Sequence, residues 1–382
     1  MEDIVVLIVG AGPAGLATAA CLNQFSIPYV IVERENCSAS LWRNRTYDRL
    51  KLHLAREFCE LPHMPYSVDT PTYIPKKTFI KYLDDYIECF NIRPRYFTVV
   101  ESSTYDIGGK CWSIMARDMA KCATVNYRAK FLVVASGENS VENIPVIPGL
   151  ENFPGEAIHS SGYKSGINYS GRNVLVIGSG NSGMEIAYDL ASHGANTSIV
   201  IRSPIHVMTK ELIRLGMTLI HYLPPKMVDH IVLMMANFIF GDLSRHGITR
   251  PNKGPFVLKM GSGRSAVIDV GTVGLIKEGK IKVHGRITKI KGETIEFQGG
   301  KEDSFDDIVF ATGYKSTANM WLKSGEDMLN SEGLPTKEFP NHWKGENGLY
   351  CAGLARRGLA GITIDAKNIA NDINCNIDSM SG

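Results

Sequence analysis

The eight cysteines of this 382-residue chain, Cys21, Cys37, Cys59, Cys89, Cys111, Cys122, Cys351 and Cys375, include no C-x-x-C pair and no zinc-like spacing. That excludes a redox-active disulfide motif and a zinc site, no other metal is expected, and the thiols read as those of a reducing compartment. Formal net charge is only +2, with no long run of one sign. A nucleic-acid surface therefore has no electrostatic support, and a small-molecule ligand is expected instead. No low-complexity tract occurs, and 44% hydrophobic content suffices for the cores of two or more domains. The most apolar tract, Ile231 to Phe240 with Asn237 inside it, is too short to span a bilayer. It is expected to be a buried or substrate-covering helix, with peripheral membrane contact as the alternative. The first strand begins near Ile4 and leaves no room for a signal or transit peptide, which points to the cytosol.

What the chain does have is IVVLIVGAGPAG from Ile4 to Gly15, an apolar strand running into a glycine turn. In such a G-x-G-x-x-G turn Gly10 allows the tight bend, Gly12 lets the backbone approach a pyrophosphate, and Gly15 lets the following helix pack on the strand. The helix N-terminus then offers free N–H groups to the anion. Leu16 to Phe25 reads as that helix and Pro28 to Val32 as the next strand. Glu33 follows at its end, where a carboxylate accepts ribose hydroxyls.

Beyond Glu33, Leu41 to Leu54 is dense in Trp, Arg, Tyr and His without a helical stripe, which marks a candidate site loop. Pro75 to Phe90 reads as a helix capped by Thr72. Arg95 to Ile114 alternates around Gly108-Gly109 as a hairpin, and Tyr127 to Val134 is a strand ending in Ala135-Ser136-Gly137.

The opening module then recurs. NVLVIGSGNSG, Asn173 to Gly183, repeats strand, turn and helix start, with Gly178, Gly180 and Gly183 in the three roles. Its second strand, Thr197 to Ile201, ends not in a carboxylate but in Arg202-Ser203. Arginine there favours the 2′-phosphate of NADPH, which a carboxylate repels, so the first site is assigned FAD and the second NADPH. Leu212 to Phe240 reads as helical, Gly254 to Gly285 as irregular with short strands, and Ile287 to Phe297 as a hairpin around Gly292. Phe305 to Phe310, running into Ala311-Thr312-Gly313-Tyr314, reads as a strand of the FAD sheet, Gly348 to Gly353 as its last strand, and Thr363 to Ile373 as a closing helix. The expected organisation is an FAD-binding domain, 1–150 and 306–382, carrying an inserted NADPH-binding domain, 165–305, with a helical substrate-covering insertion.

Between the modules, Phe153-Pro154-Gly155-Glu156-Ala157-Ile158-His159-Ser160-Ser161-Gly162-Tyr163 matches F-x-G-x-x-x-H-x-x-x-[YF], the fingerprint of flavin-containing monooxygenases. Baeyer–Villiger enzymes are similar but carry Trp where this chain has Tyr163. Within this class, ERENCSASLWRNRTYDRLKLHL, GSGNSGMEIAYDL, ATGY and LARRGLAG resemble the plant YUCCA family, the indole-3-pyruvate monooxygenases of auxin synthesis, from about Val5 to the last helix. Departures are Ala55 for Pro, Ser136 for Thr, and Lys210 where Arg is common; the last replaces a fork by a point charge near the expected phosphate.

The resemblance implies an α/β fold of two Rossmann-like domains, with FAD, NADPH and O₂ as reactants and a 2-oxo acid as substrate. Oxygen would add at flavin C4a, and the C4a-(hydro)peroxyflavin would decarboxylate indole-3-pyruvate to indole-3-acetate. The alternative is an N- or S-oxygenating enzyme of amines or sulfides. It further implies that Gly10, Gly12, Gly15, Glu33, Arg34, Leu41, Trp42, Val100 and Gly137 contact FAD, with Gly353 near the flavin end. Asn181, Ser182, Arg202, Ser203 and Lys210 fall to NADPH, together with the glycines of the second turn. His53 and Asn181 are the catalytic candidates, His53 beside the reactive flavin edge. His159 and Tyr163 read as structural, and Arg356, Arg357 and Lys51 are candidates for holding the substrate carboxylate.

Overall fold

The computed structural model describes residues 1–325 and 327–381, and the chain divides into two compact units. Unit 1 comprises 1–44, 56–141 and 314–382, and unit 2 comprises 45–55 and 142–313.

Unit 1 is built on the strand Glu2–Val9, whose Val6, Leu7 and Ile8 are fully buried. Each such side chain removed from water contributes about 1.5–3 kcal/mol. The strand lies between Tyr29–Val32 and Ala123–Val134, parallel to both. The far edge of Ala123–Val134 is shared: residues 123–129 pair antiparallel with Cys111–Asp118, while 132–134 pair parallel with Leu349–Cys351. The predicted hairpin is Thr98–Asp106 with Cys111–Asp118, and the C-terminal strand completes the sheet as expected. Helix Pro13–Gln24 is buried from Ala14 to Leu22, which its small residues permit, and it packs on the closing helix Gly358–Ser381. That helix is longer than Thr363 to Ile373.

Unit 2 has a five-stranded parallel sheet, ordered Ile281–His284, Asn196–Val200, Asn173–Ile177, Asp307–Phe310, Glu156–His159. The placement of Asp307–Phe310 corrects the sequence reading, which gave this strand to the FAD sheet. All four residues are buried, and a central strand carries no mark of which sheet buries it. The boundary thus falls after Gly313, and 142–150 and 45–55 also join unit 2.

Other differences are local. Helix Lys76–Cys89 begins after Pro75, not at a Thr72 cap, because proline's fixed φ suits a helix start. Leu212 to Phe240 is two helices, Lys210–Leu219 and Pro225–Phe240, broken at Pro224-Pro225. The irregular Gly254 to Gly285 contains helices Pro255–Ser262 and Thr272–Lys277. The hairpin around Gly292 is present as Ile287–Lys291 with Thr294–Phe297. Among the described residues no helix is long and apolar enough to cross a membrane.

Candidate functional site

Each glycine turn has one residue of a different kind from the other two. In unit 1, Gly10 has φ +112°, and a Cβ there would lie 2.5 Å from Ala135 O; a Cβ on Gly15 would run into Gly10 O. In unit 2, Gly178 at φ +116° would press on Ala311 O, and Gly183 on Gly178 O. These four are glycine because the protein's own backbone is in the way. Gly12 and Gly180 sit at ordinary φ of −75° and −73°, and a Cβ on either would meet no protein atom within 4 Å. The demand for glycine there comes from outside the fold, as the close approach of a phosphate would require. Both are N-caps without a side-chain cap, of Pro13–Gln24 and Asn181–Ser192, so first-turn N–H groups remain for an anion. The residues thus fit a dinucleotide pyrophosphate at each turn.

Around the first turn, Glu33 is buried and accepts Ala11 N–H through Oε2 at 2.7 Å and Glu35 N–H through Oε1 at 3.0 Å. Each oxygen retains a lone pair for a ribose hydroxyl. Arg34 donates to Ser140 O at 2.8 Å, and Leu41 and Trp42 lie half-buried on the short helix Ser40–Asn44, Trp42 edge-on to Phe79 at 4.7 Å. Gly137, at φ +82°, has open space where a Cβ would be. Val100 packs its side chain into the core with Leu7 and Val32. Gly353, at φ +72°, donates its N–H to Asp365 Oδ2 at 2.9 Å, while Asp365 Oδ1 accepts from His342 Nε2 at 2.8 Å. This buried Asp365–His342 pair escaped the sequence reading; a carboxylate buried in the closing helix is its only trace.

Around the second turn, Asn181 accepts Ile268 N–H through Oδ1 at 2.7 Å. Its carbonyl therefore ties helix Asn181–Ser192 to strand Val267–Ile268. Arg202 is exposed just beyond strand Asn196–Val200, and Ser203 is half-buried beside it. Lys210 opens helix Lys210–Leu219 half-buried, and burial pulls its ammonium below the usual range against the charge of Glu185. Lys51, Arg49 and Glu211 also act on it.

Glu185 is the centre of this cluster and was not singled out in the sequence. One turn into the helix and only 4% exposed, it accepts from His53 Nε2 through Oε1 at 3.1 Å. The buried Tyr47 phenol beside it is pushed well up, by burial first and then by the Glu185 charge. The loop is held there by Asp48 N–H donating to Lys164 O at 3.0 Å and by Arg49, 3.7 Å from Asp189 and 4.4 Å over the Tyr188 ring. His53 and Lys210 are therefore both brought to Glu185, within unit 2. Arg356 and Arg357 belong to unit 1, where Arg357 lies 3.8 Å over the Phe339 ring.

The fingerprint residues are structural, as expected. His159 donates from Nε2 to Gly313 O at 3.0 Å and accepts Ser161 N–H at Nδ1 at 3.2 Å, which fixes the neutral tautomer. Tyr163 is buried with its hydroxyl on Asp189, and burial first, then that carboxylate, pushes the phenol far above its ordinary range. All eight cysteines are free, and no cluster of His, Cys, Asp and Glu among the described residues could hold a metal ion.

Two glycine-turn nucleotide sites, one on the mixed sheet of unit 1 and one on the parallel sheet of unit 2, define a pyridine-nucleotide flavoprotein. The family model described as Pyridine nucleotide-disulphide oxidoreductase matches residues 7–214, and a flavin-containing monooxygenase from Stenotrophomonas maltophilia shares the fold, with a TM-score of 0.75 at 18% identity, covering 99% of this chain and 100% of that one. The probable indole-3-pyruvate monooxygenase YUCCA10 of Arabidopsis thaliana is 53% identical over 97% of each chain. The indole-3-pyruvate monooxygenase YUCCA6 of the same plant is 44% identical, over 96% of this chain and 89% of its own. The chain belongs to the YUCCA family of monooxygenases.

Proposed function

We propose that the protein is an NADPH-dependent FAD monooxygenase that converts indole-3-pyruvate and O₂ to indole-3-acetate and CO₂, the auxin-forming reaction. The observation that carries this reading is the 53% identity to a YUCCA enzyme along nearly the whole chain, on a fold whose two phosphate turns are intact. FAD, once reduced by NADPH, supplies the activation of O₂.

The chain's residues do the rest. The uncapped helices behind Gly12 and Gly180 hold the pyrophosphates, Glu33 takes the adenosine ribose of FAD, and Arg202, Ser203 and Lys210 take the 2′-phosphate of NADPH. Glu185 fixes the His53 ring with its proton on Nε2, leaving Nδ1 as the atom free to meet a reactant. The cytoplasm is the compartment proposed, since Cys21, Cys59 and Cys351 are buried as thiols.

The test is incubation of the FAD-loaded protein with NADPH, ¹⁸O₂ and indole-3-pyruvate. One labelled oxygen is expected in the product carboxylate, with one NADPH used per CO₂. Oxygenation of a tertiary amine with indole-3-pyruvate left untouched would assign the protein to the amine and sulfide oxygenases instead.

A further inference from the structure

Helix Pro225–Phe240 turns only one face to the core. Val228, Val232, Ala236 and Phe240, four residues apart, are buried. On the rest of its surface Met227, Met234, Met235, Phe238 and Ile239 are exposed, Phe238 at 93% and Met234 at 61%. Tyr222 in the preceding turn and Met260 on the neighbouring helix Pro255–Ser262 are exposed as well. A helix face meeting only water would carry charge, and contiguous apolar surface of this kind marks a docking site.

Charge indicates what docks. Residues 210–264 carry eight Lys and Arg against three Asp and Glu, an excess of five in a chain whose total is +2. One of the three acids, Asp229, is buried and spent on the N–H groups of Phe256 and Val257. Lys226, Arg245 and Lys253 are exposed around the apolar face, with Asp242 near Arg245 the opposing charge at that end. A second copy is a poor occupant, because a two-fold contact sets this basic surface against itself. An acidic surface with an apolar interior satisfies both features. We infer that this face is a peripheral docking surface for an anionic phospholipid bilayer, the helix lying in the plane of the interface with Phe238 and the methionines inserted. A helix of 16 residues lies along a bilayer more readily than it crosses one. The combination of insertion and basic charge supplies the two signals that stable surface binding takes.

The test is flotation of the FAD-loaded full-length protein with vesicles of phosphatidylcholine alone and with about 30% phosphatidylserine added. Binding is expected on the acidic vesicles, weakened by salt and at least about tenfold weaker on the neutral ones. Met234→Glu with Phe238→Glu should lower binding by on the order of a hundredfold, while flavin absorbance and melting temperature stay at parental values. If that pair is poorly soluble, Met234→Ser with Phe238→Ser makes the same comparison. Lys226→Glu should weaken binding to acidic vesicles only. Equal recovery of parent and double variants would overturn the proposal. So would a concentration-dependent dimer that the double variant converts to monomer, which would give the face to a second copy.

Discussion

The Tyr163 hydroxyl donates to Asp189 Oδ2 at 2.7 Å, and the same oxygen accepts the Gly166 N–H at 2.8 Å. The fingerprint tyrosine thus fastens the segment entering unit 2 to the helix that follows its glycine turn. Tyr163→Phe should keep the products and the one-to-one use of NADPH and O₂, and lose about 1–2 kcal/mol of stability by denaturant titration. A changed product spectrum at unchanged stability would show that the residue takes part in the chemistry.

The two kinds of glycine separate by substitution. Gly12→Val should be soluble, with the melting behaviour of the flavin-free parent, and colourless near 450 nm, because its Cβ meets no protein atom. Gly15→Ala should fail to fold, since its Cβ would enter the carbonyl of Gly10. A yellow, active Gly12→Val would remove the phosphate from this turn.

Arg202→Ala should lose roughly 1.5–3 kcal/mol of the preference for NADPH over NADH, about tenfold or more in the affinity ratio. Competition titrations with the oxidised nucleotides measure it without turnover. A parent that binds the two equally well places the arginine elsewhere.

Three buried histidines of unit 2, His159, His206 and His284, are each held below the usual imidazole range, chiefly by burial. Their folded pKa is depressed, so the unfolded chain binds the proton first. Their stabilisation is whole above about pH 6.5 and is lost as the pH falls through the lower folded values. His284 stacks on Phe297 at 4.2 Å, so His284→Phe should fit and lose less stability than the parent between about pH 7.5 and 5.5. Identical slopes would mean that His284 takes up no proton on unfolding.

Much of this was legible in the chain because it rests on backbone demands. Gly10, Gly15, Gly178 and Gly183 are forced by local packing, and Glu33 and Arg202 stand where a fixed number of residues places them. The strand Asp307–Phe310 was not legible, because DIVF flanked by a glycine exit reads the same in either sheet. Glu185 was missed because a helical glutamate ordinarily faces water; only the fold brings His53, Tyr47 and Lys210 around it. Ile231 to Phe240 was apolar on inspection, yet hydropathy alone does not say that Phe238 and Met234 stay outside the core.

The discontinuity of unit 1 sets an order of events during synthesis. Every strand of the unit 2 sheet has left the ribosome once Phe310 emerges, whereas the unit 1 sheet still lacks Leu349–Cys351 and its first helix still lacks the partner Gly358–Ser381. Translation therefore delivers a completed sheet for the second nucleotide before one for the first. The growing chain carries Glu2–Val9 and its glycine turn, begun but unfinished, through nearly the whole of its own production.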